Sequence, residues 1–163
     1  MKPRLPFIPL LLLITIASCD LSYDEPVYVQ PYEGVHEDLV PFFKSFEEEA
    51  SKHGIYVDLT EERVSAGFGR LTGPAGSCDR RSNGTRHITI DVDSWSIRNQ
   101  LGREDIIFHE LGHCALLRGH KEDVTANNVC LSMMRSGLAG CWMVYDETTR
   151  ETYLEELFNP SDD

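Results

Sequence analysis

The sequence predicts an α+β domain, on three observations. Apolar residues recur at helical spacing in two separated stretches, near residues 36–53 and 105–117. Between them, Arg63 to Gly69 and Arg86 to Val92 place apolar side chains at alternate positions, the pattern of half-buried strands. An order of helix, small sheet, then further helices favours segregated layers over alternating strand–helix units.

Taken in order, the first helix presents Leu39, Phe42, Phe43 and Phe46 on one face and ends at Gly54. Pro41 is tolerated there only in the first turn, where its missing N–H has no partner to lose. Ile55 to Leu59 is expected to add a short strand. Val64, Ala66 and Phe68 line one side of the next. Leu71 to Thr85, rich in Gly, Ser and charge, is expected to be a loop ending in the turn signal Asn83-Gly84. Ile88, Ile90 and Val92 mark the second confident strand. The second helix, Asp105 to Leu117, carries Ile106, Ile107, Phe108, Leu111, Ala115 and Leu117 as its apolar surface. Gly102 precedes it, and Arg118-Gly119 supplies a cationic last turn and a C-cap glycine. An irregular stretch then leads to a closing helix near Glu147 to Leu157.

Residues 109–120 read His-Glu-Leu-Gly-His-Cys-Ala-Leu-Leu-Arg-Gly-His and carry the chemistry. On a helix, His109 and His113 stand one above the other on the same face, so two imidazoles can bind one Zn²⁺. Glu110 then sits beside the metal without ligating it, placed to act as a general base. His-Glu-x-x-His arises by chance in roughly one chain in a few hundred of this length, and a chance match need not fall on a helix. Three protein ligands would leave one zinc position open for water, which separates a catalytic zinc site from a structural one. The third ligand is assigned to His120, beyond Gly119, where the chain can turn back toward the metal.

This segment resembles the zincin metallopeptidases, in particular the metzincin and matrixin branch, whose longer motif is His-Glu-x-x-His-x-x-Gly-x-x-His. Cys130-Leu131-Ser132-Met133-Met134-Arg135 is similar to the metzincin Met-turn, with Met134 taking the turn position beneath the zinc histidines. The match departs from the family where Leu116 replaces the glycine and the third histidine comes one residue late. The helix is therefore expected to run a turn longer, until Gly119 releases it. Asp123, or a glutamate of the closing helix (Glu151, Glu155 or Glu156), stays open as an alternative third ligand. Tyr153 to Phe158 looks like the C-terminal helix of small bacterial zincin-like proteins, and the resemblance spans roughly residues 38–158. It implies a minimal zincin-like domain with a small mixed sheet, an active-site helix, a Met-turn and a C-terminal helix.

The N-terminus looks like an export signal: Lys2 and Arg4 precede an apolar run from Leu5 to Ile16 that is short for a membrane span. Ile16-Ala17-Ser18-Cys19 resembles the bacterial lipobox, which implies cleavage before Cys19 and lipidation of its thiol. Residues 1–18 would then be a lipoprotein signal, 19–35 a tether carrying Pro26 and Pro31, and 36–163 the domain. The expected location is the cell envelope, on the periplasmic or extracellular face of a bacterial membrane. Four cysteines remain for possible disulfides, Cys78, Cys114, Cys130 and Cys141, with three pairings open. No Cys-x-x-Cys pair suggests a thiolate metal site.

With 27 acids against 15 bases and a net charge of −12, the chain lacks the basic character of a nucleic-acid binder. The expected protein is a monomeric zinc peptidase acting on peptide or protein substrates, with the substrate extended along a sheet edge. Tyr145 or Tyr153 could serve as an oxyanion donor, but packing is the stronger reading of either aromatic. Two other functions fit the same residues: a non-catalytic, zinc-stabilised envelope lipoprotein acting as a binding module, and a zinc hydrolase cutting another bond, such as a cell-wall amide.

Overall fold

A computed structural model of the chain describes residues 30–137 and 143–159. Cys19, the segment expected to be an export signal, and Cys141 lie outside the described residues. A single 3-10 turn, Glu37–Leu39, leads into α1, Val40–Lys52, with Pro41 in its first turn as its chemistry requires. Phe42, Phe43 and Phe46 of α1 are buried together with Leu39. The core also reaches back into the expected tether: Tyr32 packs edge-on to Phe43 and its hydroxyl donates to Glu47 at 2.6 Å. Val35 bridges to Ala66 of the sheet, so the folded domain begins ahead of residue 36.

The sheet has three strands, β1 (Val64–Gly69), β2 (Gly76–Arg80) and β3 (Arg86–Asp91), in the order β1-β3-β2. β1 runs parallel to β3 and β2 antiparallel to it, so the sheet is mixed. β2 corrects the sequence expectation of a loop from Leu71 to Thr85. Gly76-Ser77-Cys78-Asp79-Arg80 contains no β-branched residue and no apolar alternation, so local pattern could not announce it. Its pairing comes from β3 through a hairpin closed by Arg81 N–H to Thr85 O at 2.9 Å, with Gly84 at φ +81°. The Asn83-Gly84 turn signal was thus sound, and the strand before it was not visible. Conversely, Ile55 to Leu59 is not a strand. Ile55 N–H closes the end of α1 on Ala50 O, Leu59 N–H is taken by the Glu47 carboxylate, and Tyr56 points into solvent.

Asp91 ends β3 and caps α2 (Val92–Ser96), accepting from Ser94 N at 2.8 Å. Next come α3 (Gln100–Cys114) and α4 (Arg150–Phe158). α3 lies against the sheet on one side and α1 on the other; Phe108 meets Phe46 with ring centroids 5.0 Å apart. α4 closes the far side, where Phe158 packs on Phe46 at 5.1 Å. Among the described residues no helix is long and apolar enough to cross a membrane.

A disulfide joins Cys78 of β2 to Cys114 at the end of α3, which settles one of the open pairings. Cys130 is also disulfide-bonded. The Cys78–Cys114 bridge closes 36 residues of chain, and a loop of that size restricts the unfolded ensemble by about 3–4 kcal/mol. The double variant Cys78→Ala/Cys114→Ala is therefore expected to lose that much stability in urea unfolding. A loss below about 1 kcal/mol would show that the bridge does not clamp β2 to α3.

Candidate metal centre

α3 is buried around most of its circumference. Ile106, Ile107, Phe108 and Leu111 are fully buried, and Asn99 caps the first turn by accepting from Gly102 N at 2.8 Å. The helix thus starts ahead of the expected Asp105. His109, Glu110 and His113 face a cleft of about 890 Å³ whose other wall is β2, with Gly76, Cys78 and Arg80 lining it. Gly76 is required there, since a Cβ would lie 2.7 Å from Glu110 Oε1. The carboxylate is therefore held directly against the strand.

The helix ends sooner than expected, at Cys114 rather than Leu117. Gly119 is not the residue that releases it; Leu117 takes the left-handed conformation at φ +58°, and Arg118 N–H bonds Gly112 O at 2.9 Å. A leucine there costs about 1–2 kcal/mol of backbone strain. The turn is held because the Arg118 guanidinium donates to the Glu156 and Leu157 carbonyls at the end of α4, at 2.7 and 2.9 Å. The exposed Leu117 side chain offers no packing that would oppose the turn.

This early turn brings His120 back to the helix. His109 Nε2 and His120 Nε2 each lie 3.1 Å from His113 Nε2, and the ligand atoms of the three histidines all lie within 4.8 Å of one another. The other ring nitrogens explain what these contacts are. His109 Nδ1 lies 2.5 Å from Met133 O, and His113 Nδ1 lies 2.7 Å from Arg118 O. A carbonyl can only accept, so each Nδ1 carries the proton and donates. In the neutral rings both Nε2 atoms then present lone pairs to each other, an arrangement that wants a cation between them. Burial pushes His109 down to about 4, further lowered by its neighbouring histidines, and pushes His113 down as well. Both rings are thus neutral at physiological pH, the form that binds metal.

Nitrogens held by zinc at ~2.0–2.1 Å in tetrahedral geometry lie about 3.3 Å apart, close to the spacing seen. His109, His113 and His120 could hold a metal ion, and among the described residues no other group of three His, Cys, Asp or Glu side chains could. Three imidazoles suit Zn, Cu, Ni or Fe over Mg or Ca. Burial pushes Glu110 up to about 8; a cation on the adjacent histidines favours its ionised form.

The alternatives for the third ligand are accounted for elsewhere. Asp123 is exposed and lies 3.9 Å from Lys121 Nζ. Glu151 and Glu155 face His53, and Glu156 accepts from Arg118 and Ser132. Neither tyrosine lines the cleft: the Tyr145 hydroxyl donates to Glu104, and that of Tyr153 to Cys130 O at 2.6 Å. Both are packing aromatics, the stronger of their two sequence readings, and neither is placed to serve as an oxyanion donor.

Met134 is fully buried directly beneath α3, where a Cβ on Gly112 would collide with its sulfur. No family model, curated protein or solved structure matches this chain. Gly76, Gly112 and Met133 were not singled out in the sequence, and Arg118 was read only as a helix-end cation; the glycines permit close approach, while Met133 and Arg118 act through backbone carbonyls. A glycine between the two histidines of the motif is a visible signal. A carbonyl acceptor has none, because every residue has one.

Proposed function

We propose that the protein is a zinc metallopeptidase of the zincin type, held at a bacterial membrane by a lipid on Cys19. The observation that carries this reading is the convergence of His109, His113 and His120 at a cleft that Glu110 also lines. Zinc bound there would bring a coordinated water toward a neutral pKa and polarise a substrate carbonyl. Glu110, pressed against Gly76, takes a proton from the attacking water and returns it to the departing amine. β2 is an edge of the sheet and runs along the cleft, so an extended peptide can add to it through backbone hydrogen bonds. Among the described residues Glu110 is the only acid lining the cleft, and the exposed Arg80 lines it too, close enough to His113 to disfavour that ring's protonation. Peptides with an acidic residue near the scissile bond fit that lining better than lysine-rich ones.

The test is cleavage of a library of unfolded-protein peptides by zinc-loaded and chelated protein. Cleavage that disappears with the chelator and returns with zinc supports the proposal. Zinc-saturated protein that leaves every peptide intact would favour the non-catalytic binding module, and cleavage confined to peptidoglycan fragments would favour the cell-wall amide hydrolase. For the anchor, labelled fatty acid should enter the wild-type chain and be absent from Cys19→Ala; equal labelling of both would remove it.

A further inference from the structure

We propose that Glu156 is the positioning residue of this centre: its one carboxylate fixes both of the backbone carbonyls that orient the imidazoles of His109 and His113. The inference rests on the metal-centre reading above. Glu156 lies on α4, outside the cleft, and neither oxygen reaches the histidines. Oε1 accepts from Arg118 Nη2 at 2.6 Å, and Oε2 accepts from the Ser132 hydroxyl. Each bond leads to one histidine.

On the first branch, the Arg118 guanidinium is pinned between Glu156 Oε1 and the last carbonyls of α4. The backbone carbonyl of the same residue receives His113 Nδ1 at 2.7 Å. On the second, Ser132 Oγ gives its proton to Glu156 and accepts Met134 N–H at 3.0 Å. Met134 N–H and Met133 C=O are the two ends of one rigid peptide unit, so holding the first aims the second. Met133 C=O receives His109 Nδ1 at 2.5 Å. Lys121 N–H to Met134 O at 3.0 Å ties the two branches together just after His120.

The site is dry enough for this to matter. Ser132 is fully buried, and the Arg118 and Glu156 side chains are 12% and 15% exposed. Hydrogen bonds to an ionised carboxylate are shorter and stronger than neutral ones, and in a low-dielectric setting they resist rearrangement. The polarity runs one way throughout: Glu156 accepts, Ser132 and Arg118 donate to it, and their partners leave each Nδ1 protonated. That selects the tautomer with Nε2 free for metal. Partners of this kind typically carry a 10–100-fold effect on metal affinity.

The experiment compares Glu156→Gln with Arg150→Met in the folded protein. Arg150 joins α4 to Glu49 and Glu104 at the other end of the helix, so losing it weakens the fold without touching the centre. Zinc affinity is read by competition with a chromophoric chelator, and the stability of the metal-free protein by thermal unfolding. Glu156→Gln is expected to bind zinc 10–100-fold more weakly, whereas Arg150→Met, though less stable, stays within threefold of wild type. A Glu156→Gln protein within threefold of wild type, or an equal loss in Arg150→Met, would overturn the proposal. A second readout needs no metal: ring ¹⁵N spectra of the metal-free protein should show Nδ1–H for His109 and His113 in wild type and mixed tautomers in Glu156→Gln. Identical tautomers in both would overturn it even if wild type bound no zinc, a result that would itself count against the metal centre alone.

Discussion

Glu110→Gln is expected to lower peptide hydrolysis by at least about 10³-fold while zinc binding stays within a few-fold of wild type. General acid–base catalysis contributes about 10²–10⁴-fold, and here one side chain serves both proton transfers. Gln keeps the volume that fits against Gly76, so the cleft wall and β2 should not move. It can neither take a proton from water nor return one to the amine. The measurement is kcat/KM on the best library peptide, with zinc content determined on the same preparation. Activity within tenfold of wild type would mean that Glu110 is not the proton carrier, and loss of zinc with the activity would assign it a structural role.

His120→Ala is expected to weaken zinc binding by roughly two powers of ten or more, and hydrolysis with it. Zinc-binding free energies of about 10–16 kcal/mol spread over four ligands give about 3 kcal/mol for each. His120 is the most informative of the three histidines because it is exposed, whereas His109 is 5% exposed and its truncation would also open a cavity. The metal-free variant should unfold at the temperature of metal-free wild type. Asp123→Ala, removing the alternative ligand, should leave affinity unchanged. Reversal of the two results would move the third ligand to the carboxylate.

What the sequence made legible follows from how local each signal is. The α+β class, α1, β1 and β3 were readable because burial on one face imposes a period on the side chains. His109 and His113 were readable because four residues of helix bring them together wherever the helix lies. His120 does return to the two helix histidines, but the turn that brings it there belongs to Leu117 at φ +58°, not to Gly119. No local preference predicts a leucine there, since Arg118 anchored on α4 is what holds it. β2 was hidden for the same kind of reason, its strand character coming from β3 and from the bridge at Cys78. Glu156 entered the sequence reading as an alternative third ligand on the closing helix, and the role of its carboxylate depends on partners 38 and 24 residues away in sequence. Tyr145 and Tyr153 are the packing aromatics that the sequence favoured, and the acceptors that take up their hydroxyls are supplied only by tertiary structure.

X-ray absorption at the zinc edge, on protein reconstituted with one equivalent of metal, probes the centre most directly. The proposed zinc centre requires full occupancy with three imidazole nitrogens at about 2.0–2.1 Å, a fourth light-atom donor and no sulfur. A site that fails to retain zinc, or a spectrum with fewer than three imidazoles or with sulfur in the coordination shell, would contradict it.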